Sequence, residues 1–204
     1  MHFPSSTISS WSRFYRANFI NTLSGFKSAS LVGTTHPSGI YNLAIFSNIV
    51  HIGADPALVG MVNRPREAAP HTLANIENSG IYTINHIHQN IIKAAHQTSA
   101  KYPETISEFD AVRLTPLLED GIAAPFVKES KVRYAIKLRE IIPITLNNTF
   151  FIIGEITDFF IENHDEIMDE DGFIHLEKAG SITSLGIDGY YQTEVIERFP
   201  YAKP

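Results

Sequence analysis

The sequence predicts a mainly β, α+β fold: an antiparallel β-barrel with helical additions. Three observations lead there. Residues 131–138 alternate Val132, Tyr134, Ile136 and Leu138 with Arg133, Ala135 and Lys137, the period-two pattern of a half-buried antiparallel strand. A long apolar run at residues 149–161 offers it a partner. Earlier in the chain, residues 28–62 hold three β-like runs separated by His36-Pro37-Ser38-Gly39 and Asp55-Pro56, the residue types that make tight connections.

In chain order, residues 5–23 mix Trp11, Phe14, Tyr15 and Phe19 with polar residues and predict a short helix or arm that packs its rings on the body. Residues 28–35 and 40–50 read as two strands of a hairpin, and residues 57–62 as a third strand behind Asp55-Pro56. A short helix over 71–78 is closed by Gly80, since glycine readily takes the left-handed conformation after a helix. Residues 81–85 return to strand. Over 89–100, Ile91, Ile92 and Ala95 fall on one side at helical spacing, and 104–113 suggests a shorter helix or turn. No repeat, low-complexity tract or long linker divides the chain, so residues 1–204 are read as one domain.

Composition narrows the function. With 204 residues and 44% hydrophobic content, the chain can fold by burial alone. It has no cysteine, which excludes disulfides, thiolate metal sites and cysteine nucleophiles, and any redox chemistry therefore needs a cofactor. A net charge of −6 argues against nucleic acid, whose phosphates demand a basic face. No run of about 18 apolar residues is long enough for a membrane span, and residues 1–11 lack an apolar signal core. The expectation is a soluble, cytoplasmic protein with neither nucleic-acid nor membrane partner.

Several motifs fail on spacing. The acidic stretch 165–172 invites a calcium-loop reading, but placing Gly172 sixth puts Ile167 at the first ligand and Lys178 at the closing glutamate. It reads instead as a solvated acidic loop. His86 and His88 share a face of a strand end, yet a third ligand would have to come from His51, His71 or His96 by folding, and no metal is expected. Glycine-rich dinucleotide, phosphate-loop and nucleophile-elbow motifs are missing from the sequence.

What remains is an ordered constellation. It begins with Gly39, Asn42, Ala44, Phe46, Ser47 and Asn48, then Asp55-Pro56, Asn63-Arg64-Pro65-Arg66, His71-Thr72, Asn75-Ile76 and Asn85. It continues through Glu108-Phe109, Leu114-Thr115, Pro125, Val127, Glu129-Ser130 and Val132, and closes with Gly154-Glu155, Leu185-Gly186 and Tyr190. From about residue 18 to 191 this order resembles the flavin reductase-like family. Two departures stand out: His71 replaces an acidic residue that usually precedes the threonine, and Ser184-Leu185-Gly186-Ile187 replaces an Arg-Leu-Gly-Gly element.

The resemblance implies an FMN-binding split barrel of Greek-key antiparallel topology, working as a homodimer with flavin near the interface, where Trp11, Phe14 and Tyr190 contribute across the boundary. It implies electron transfer from NADH or NADPH through FMN to free flavin or another acceptor. Backbone amides near Phe46, Ser47 and Asn48 would meet the flavin ring, with Asn42, Ala44 and Ser47 along the cofactor and Asn75 also among the cofactor-binding residues. Arg64, Arg66, His71 and Thr72 are the nearest cluster of phosphate-binding types, Thr72 standing where a helix N-terminus presents free amides. The cofactor carries the chemistry, so no side-chain acid or base is singled out. Two alternatives stay open: a non-enzymatic FMN-binding electron carrier or flavin store reduced by a partner, and a barrel that has lost flavin.

Overall fold

A computed structural model describes residues 1–203. The elements run α1 (Ser5–Ser10), α2 (Arg13–Leu23), β1 (Lys27–Ser28), β2 (Ser30–Thr35), β3 (Tyr41–Phe46), β4 (Val50–Ala54), β5 (Ala57–Asn63), α3 (Pro70–Ser79) and β6 (Ile81–His86). A 3-10 turn (Gln89–Ile91) leads into α4 (Ile92–Gln97), followed by α5 (Glu108–Val112), β7 (Pro116–Leu117), β8 (Phe126–Val127), β9 (Val132–Ile144), β10 (Thr149–Ile161), α6 (His164–Ile167), β11 (Thr183–Leu185) and β12 (Gly189–Tyr191).

Seven strands form one antiparallel sheet in the order β3-β2-β6-β9-β10-β5-β4. Its two edge strands, β3 and β4, are consecutive in the chain and separated by residues 47–49 alone. Edges that far apart in strand order can be joined by three residues only if the sheet curls onto itself, which makes it a split barrel. Asn48 stitches the seam, its Nδ2 donating to Val62 O at 2.8 Å and its Oδ1 accepting from Val62 N–H at 3.1 Å.

Residues 40–50 therefore do not form the single strand that their composition predicts. The chain crosses the barrel seam at 47–49, and β4 pairs with β5 through a turn at Asp55-Pro56. The N-terminal arm also differs from expectation. It forms two helices whose rings pack on one another, Trp11 meeting Phe3, Tyr15 and Phe19 at centroid distances of 5.3, 4.9 and 4.8 Å. Phe14 and Leu23 stay exposed.

Burial follows alternation. One core gathers Val32, Met61, Leu73, Ile76, Tyr82, Ile84 and Ile136 from the strands and α3. The other face of β2 and β3 sends Leu31 and Leu43 against Ile91, Ala95 and Phe109 of the helical additions. Much of the quoted motif is scaffold. Fully buried Asn85 donates to Leu31 O and Thr83 Oγ1, both at 3.1 Å, and accepts Val127 N–H at 2.8 Å, while Thr83 Oγ1 donates to Pro125 O at 2.6 Å. A Cβ at Gly33 would strike Pro125 O and Thr83 Oγ1, so the 125–127 segment can lie against β2 only over a glycine. Glu129 accepts Thr115 N–H through both carboxylate oxygens at 3.1 Å.

His86 on β6 keeps a little solvent contact, bonds Ser181 Oγ at 3.2 Å and is pushed down to about 4 by burial. Its folded form thus resists a proton that the unfolded chain accepts near the ordinary histidine value. Stability is unaffected by this group above that value and is lost as pH falls from about 6.5 toward 4, by roughly 2 kcal/mol after allowance for solvent contact. Urea unfolding at pH 7 and pH 4.5 checks this, with His86→Gln expected to flatten the difference.

Candidate functional site

A cleft of about 500 Å³ opens where the barrel seam meets three other segments. Its first wall is the end of β3 and the crossing, from Asn42 to Asn48. Pairing of β3 with β2 places Asn42, Ala44 and Phe46 opposite Thr34, Val32 and Ser30, so these three share a face. Phe46 leans its ring on the barrel core, which leaves backbone, Ala44 and Ser47 as the cleft surface.

The second wall is the loop after β5 and the start of α3, including Asn63, Arg64, Ala69, His71 and Thr72. Pro70 takes the first helical position, where its missing N–H costs nothing, and the cap is Ala69 rather than Thr72. First-turn amides have no partner within a helix, so those of His71 and Thr72 make this end of the cleft attractive to an anion. Thr72 Oγ1 accepts Asn42 Nδ2 at 3.2 Å, tying the helix start to the strand.

The remaining walls are residues 98–102 after α4 and the C-terminal hairpin β11–β12, with Lys101, Ser184, Gly186 and Tyr190 among them. Glu108 lies beneath, buried, accepting Leu43 N–H at 2.9 Å. Burial raises its carboxyl above the ordinary range, opposed by that backbone bond and by His71. Two buried polar atoms on the cleft walls, Asn63 Oδ1 and Ser184 Oγ, have no hydrogen-bond partner among the described residues. Such atoms are costly unless an occupant pairs with them.

Of the residues singled out from sequence, Asn42, Ala44, Phe46, Ser47, Asn48, Arg64, His71 and Thr72 line this cleft. Arg66 and Asn75 do not. Arg66 is held by Glu77, with Nη1 to Oε2 at 2.8 Å, and its guanidinium lies over the Phe150 ring at 4.9 Å. Asn75 is buried, and its Nδ2 donates at 3.0 Å to Thr34 Oγ1, which also receives Asn42 Nδ2 at 3.3 Å. It therefore steadies Asn42 from behind. Asn48 reaches the cleft with its side-chain amide already spent on Val62. Sequence reasoning missed residues 98–102, Asn63 and Glu108 as wall residues. The polar run Thr98-Ser99-Ala100-Lys101 was the available signal, hidden by extending the preceding helix through residue 100.

His86 and His88 each have other partners, Ser181 and the Glu129 carbonyl, and no group of three or more His, Asp or Glu among the described residues is placed to hold a metal ion. Among the described residues no helix is long and apolar enough to cross a membrane.

Comparison with known proteins adds four findings. A family model described as flavin reductase like domain matches residues 23–175. An uncharacterized protein of Aquifex aeolicus (strain VF5) is 28% identical over 157 residues, covering 76% of this chain and 78% of that protein. Among solved structures, a split-barrel protein from Shewanella frigidimarina NCIMB 400, provisionally classed as a flavin reductase, is 45% identical with a TM-score of 0.94, covering 99% of this chain and all of that one. Nitrilotriacetate monooxygenase component B from Bacillus cereus shares the fold, with a TM-score of 0.83 at 21% identity and 98% coverage of both chains.

Proposed function

The chain belongs to the flavin reductase-like domain family, and from that membership and its cleft we propose an oxidoreductase that binds FMN and passes electrons from NADH or NADPH through it to free flavin or another acceptor. One observation carries the reading: eight residues from separate segments, selected for flavin-binding chemistry, converge on one cleft with an anion-attracting helix start at one end. The two orphaned atoms fit such an occupant, since a flavin offers an N–H to Asn63 Oδ1 and carbonyl or ribityl oxygens to Ser184 Oγ.

The amides of His71 and Thr72 and the Arg64 guanidinium would hold the phosphate. Backbone groups of residues 46–48 would meet the ring edge, while Asn42, fixed by Thr34 and Thr72, and Ser47 would orient the chain between ring and phosphate. Bound flavin supplies hydride chemistry between nicotinamide and acceptor. The protein's share is binding, orientation and partial exclusion of water.

We read residues 1–204 as one FMN-binding unit and infer a homodimer, for which exposed Phe14, Leu23, Ile196 and Phe199 offer apolar surface at both chain ends. Because Arg66 is engaged elsewhere, Arg66→Ala is expected to leave the FMN dissociation constant within about twofold and to cost at most ~1 kcal/mol of stability, as exposed ion pairs do. A fluorescence titration and a urea melt check both. The function itself is tested by adding NADH, then NADPH, anaerobically to FMN-loaded protein. Rapid bleaching supports the reductase and names its donor; bound but unbleached flavin supports a carrier reduced by a partner.

A further inference from the structure

The C-terminal hairpin brings Tyr190 to the cleft beside His96 of α4. Its hydroxyl lies 2.8 Å from His96 Nδ1, and the rings meet edge to face with centroids 5.8 Å apart. The residues are 94 positions apart, so the fold makes this bond. Both line the cleft. Their surroundings differ: Tyr190 is half-buried against the Leu43 and Ile91 cluster, whereas His96 is exposed on the last turn of α4. The phenol is thus the better shielded of the two and the imidazole the one open to solvent.

Burial, then the nearby Asp188 carboxylate, raises the Tyr190 hydroxyl above its ordinary value, so it carries its proton at neutral pH. Glu108, the other buried acid of the cleft, is committed to Leu43 N–H. Tyr102, past α4, receives Gln97 Nε2 at 3.1 Å. Around the pair, Ala100, Gly186, Ile187 and Gly189 leave room for a flat ring, with Ser99 and Lys101 on the same segment as Ala100.

We propose that Tyr190 is a catalytic acid for a quinone-type carbonyl acceptor in this cleft, with His96 as the positioning residue that relays a solvent proton to it. The inference rests on the flavin reading above, which supplies reduced flavin as the reductant. The acceptor takes two electrons and one proton as hydride from that reductant. The Tyr190 O–H bond breaks as the acceptor's second O–H bond forms, giving hydroquinone. His96 then returns a proton from Nδ1 to the phenolate oxygen while taking one from water at Nε2.

The test uses flavin-loaded protein reduced with dithionite and mixed with benzoquinone or, as a one-electron acceptor needing no proton, ferricyanide. Tyr190→Phe is expected to lower the ratio of benzoquinone to ferricyanide reoxidation rates by about a hundredfold, within the usual range for a lost general acid. It should also lower the solvent deuterium isotope effect on the quinone reaction to the part carried by the exchangeable N–H of the reduced flavin. His96→Ala should lower the same ratio, with added imidazole restoring it. Independently of turnover, nitrogen NMR of the flavin-free protein should show the His96 ring signals shifting in Tyr190→Phe. An unchanged ratio or isotope effect in Tyr190→Phe, or unmoved His96 signals, overturns the relay. Failure to take up flavin at all overturns the proposed function beneath it, so the two failures are distinct.

Discussion

Asn85→Ala is expected to lower the unfolding free energy by about 3–5 kcal/mol. Asn85 is fully buried and holds three partners, the Leu31 carbonyl, the Thr83 hydroxyl and the Val127 amide. Truncation strands the Val127 N–H away from water, at about 1–3 kcal/mol, and removes the bonds to Leu31 O and Thr83 Oγ1 and the packing of the buried side chain besides. Through Val127 and Pro125 the change also loosens the segment lying against Gly33, on which β2 rests. Urea unfolding measures it. A loss below about 1 kcal/mol would show that the node joining β2, β6 and β8 is not structural.

Arg64→Glu is expected to weaken FMN binding by about a hundredfold while weakening riboflavin binding far less. Arg64 is exposed on the cleft wall that also carries the first-turn amides of His71 and Thr72, so a guanidinium and a helix start share that end of the cleft. Losing a charge-assisted bond costs about 1.5–3 kcal/mol, and the new carboxylate adds repulsion. Riboflavin lacks the phosphate, so comparing the two ligands by fluorescence titration assigns the effect to that end of the cleft. Equal losses for both would place the phosphate elsewhere, with Lys101 on the opposite wall as the first place to look.

Period-two alternation made the long strands β9 and β10 legible, because a half-buried antiparallel strand leaves its signature in every second residue. The crossing from β3 to β4 was not legible. Residues 40–50 carry no glycine or proline at the seam, and only closure of the barrel, which is a long-range event, separates the two strands. The N-terminal rings were legible as a cluster but not as one turned on itself. Within the site, Asn42, Ala44, Arg64, His71 and Thr72 were legible because residue type and order both pointed to them. Arg66 and Asn75 carry the same chemistry in sequence, yet Glu77, on the following helix, and Thr34, 41 residues back from Asn75, hold them out of the cleft. Asn63 and Glu108 stand in the ordered constellation, but nothing local assigns them to the cleft, since their place there depends on how distant segments pack.

The central claim is that this cleft binds flavin through the barrel seam and the start of α3. It is tested most directly by titrating the purified protein with FMN while following the visible spectrum and flavin fluorescence, in the wild type and in Ala44→Trp, whose added ring fills the cleft from the β3 wall. The account predicts a saturable spectral shift with quenching in the wild type and its loss in Ala44→Trp, with both proteins unfolding at similar urea concentrations. Undiminished FMN binding by a folded Ala44→Trp protein, or no spectral change in the wild type, would contradict it.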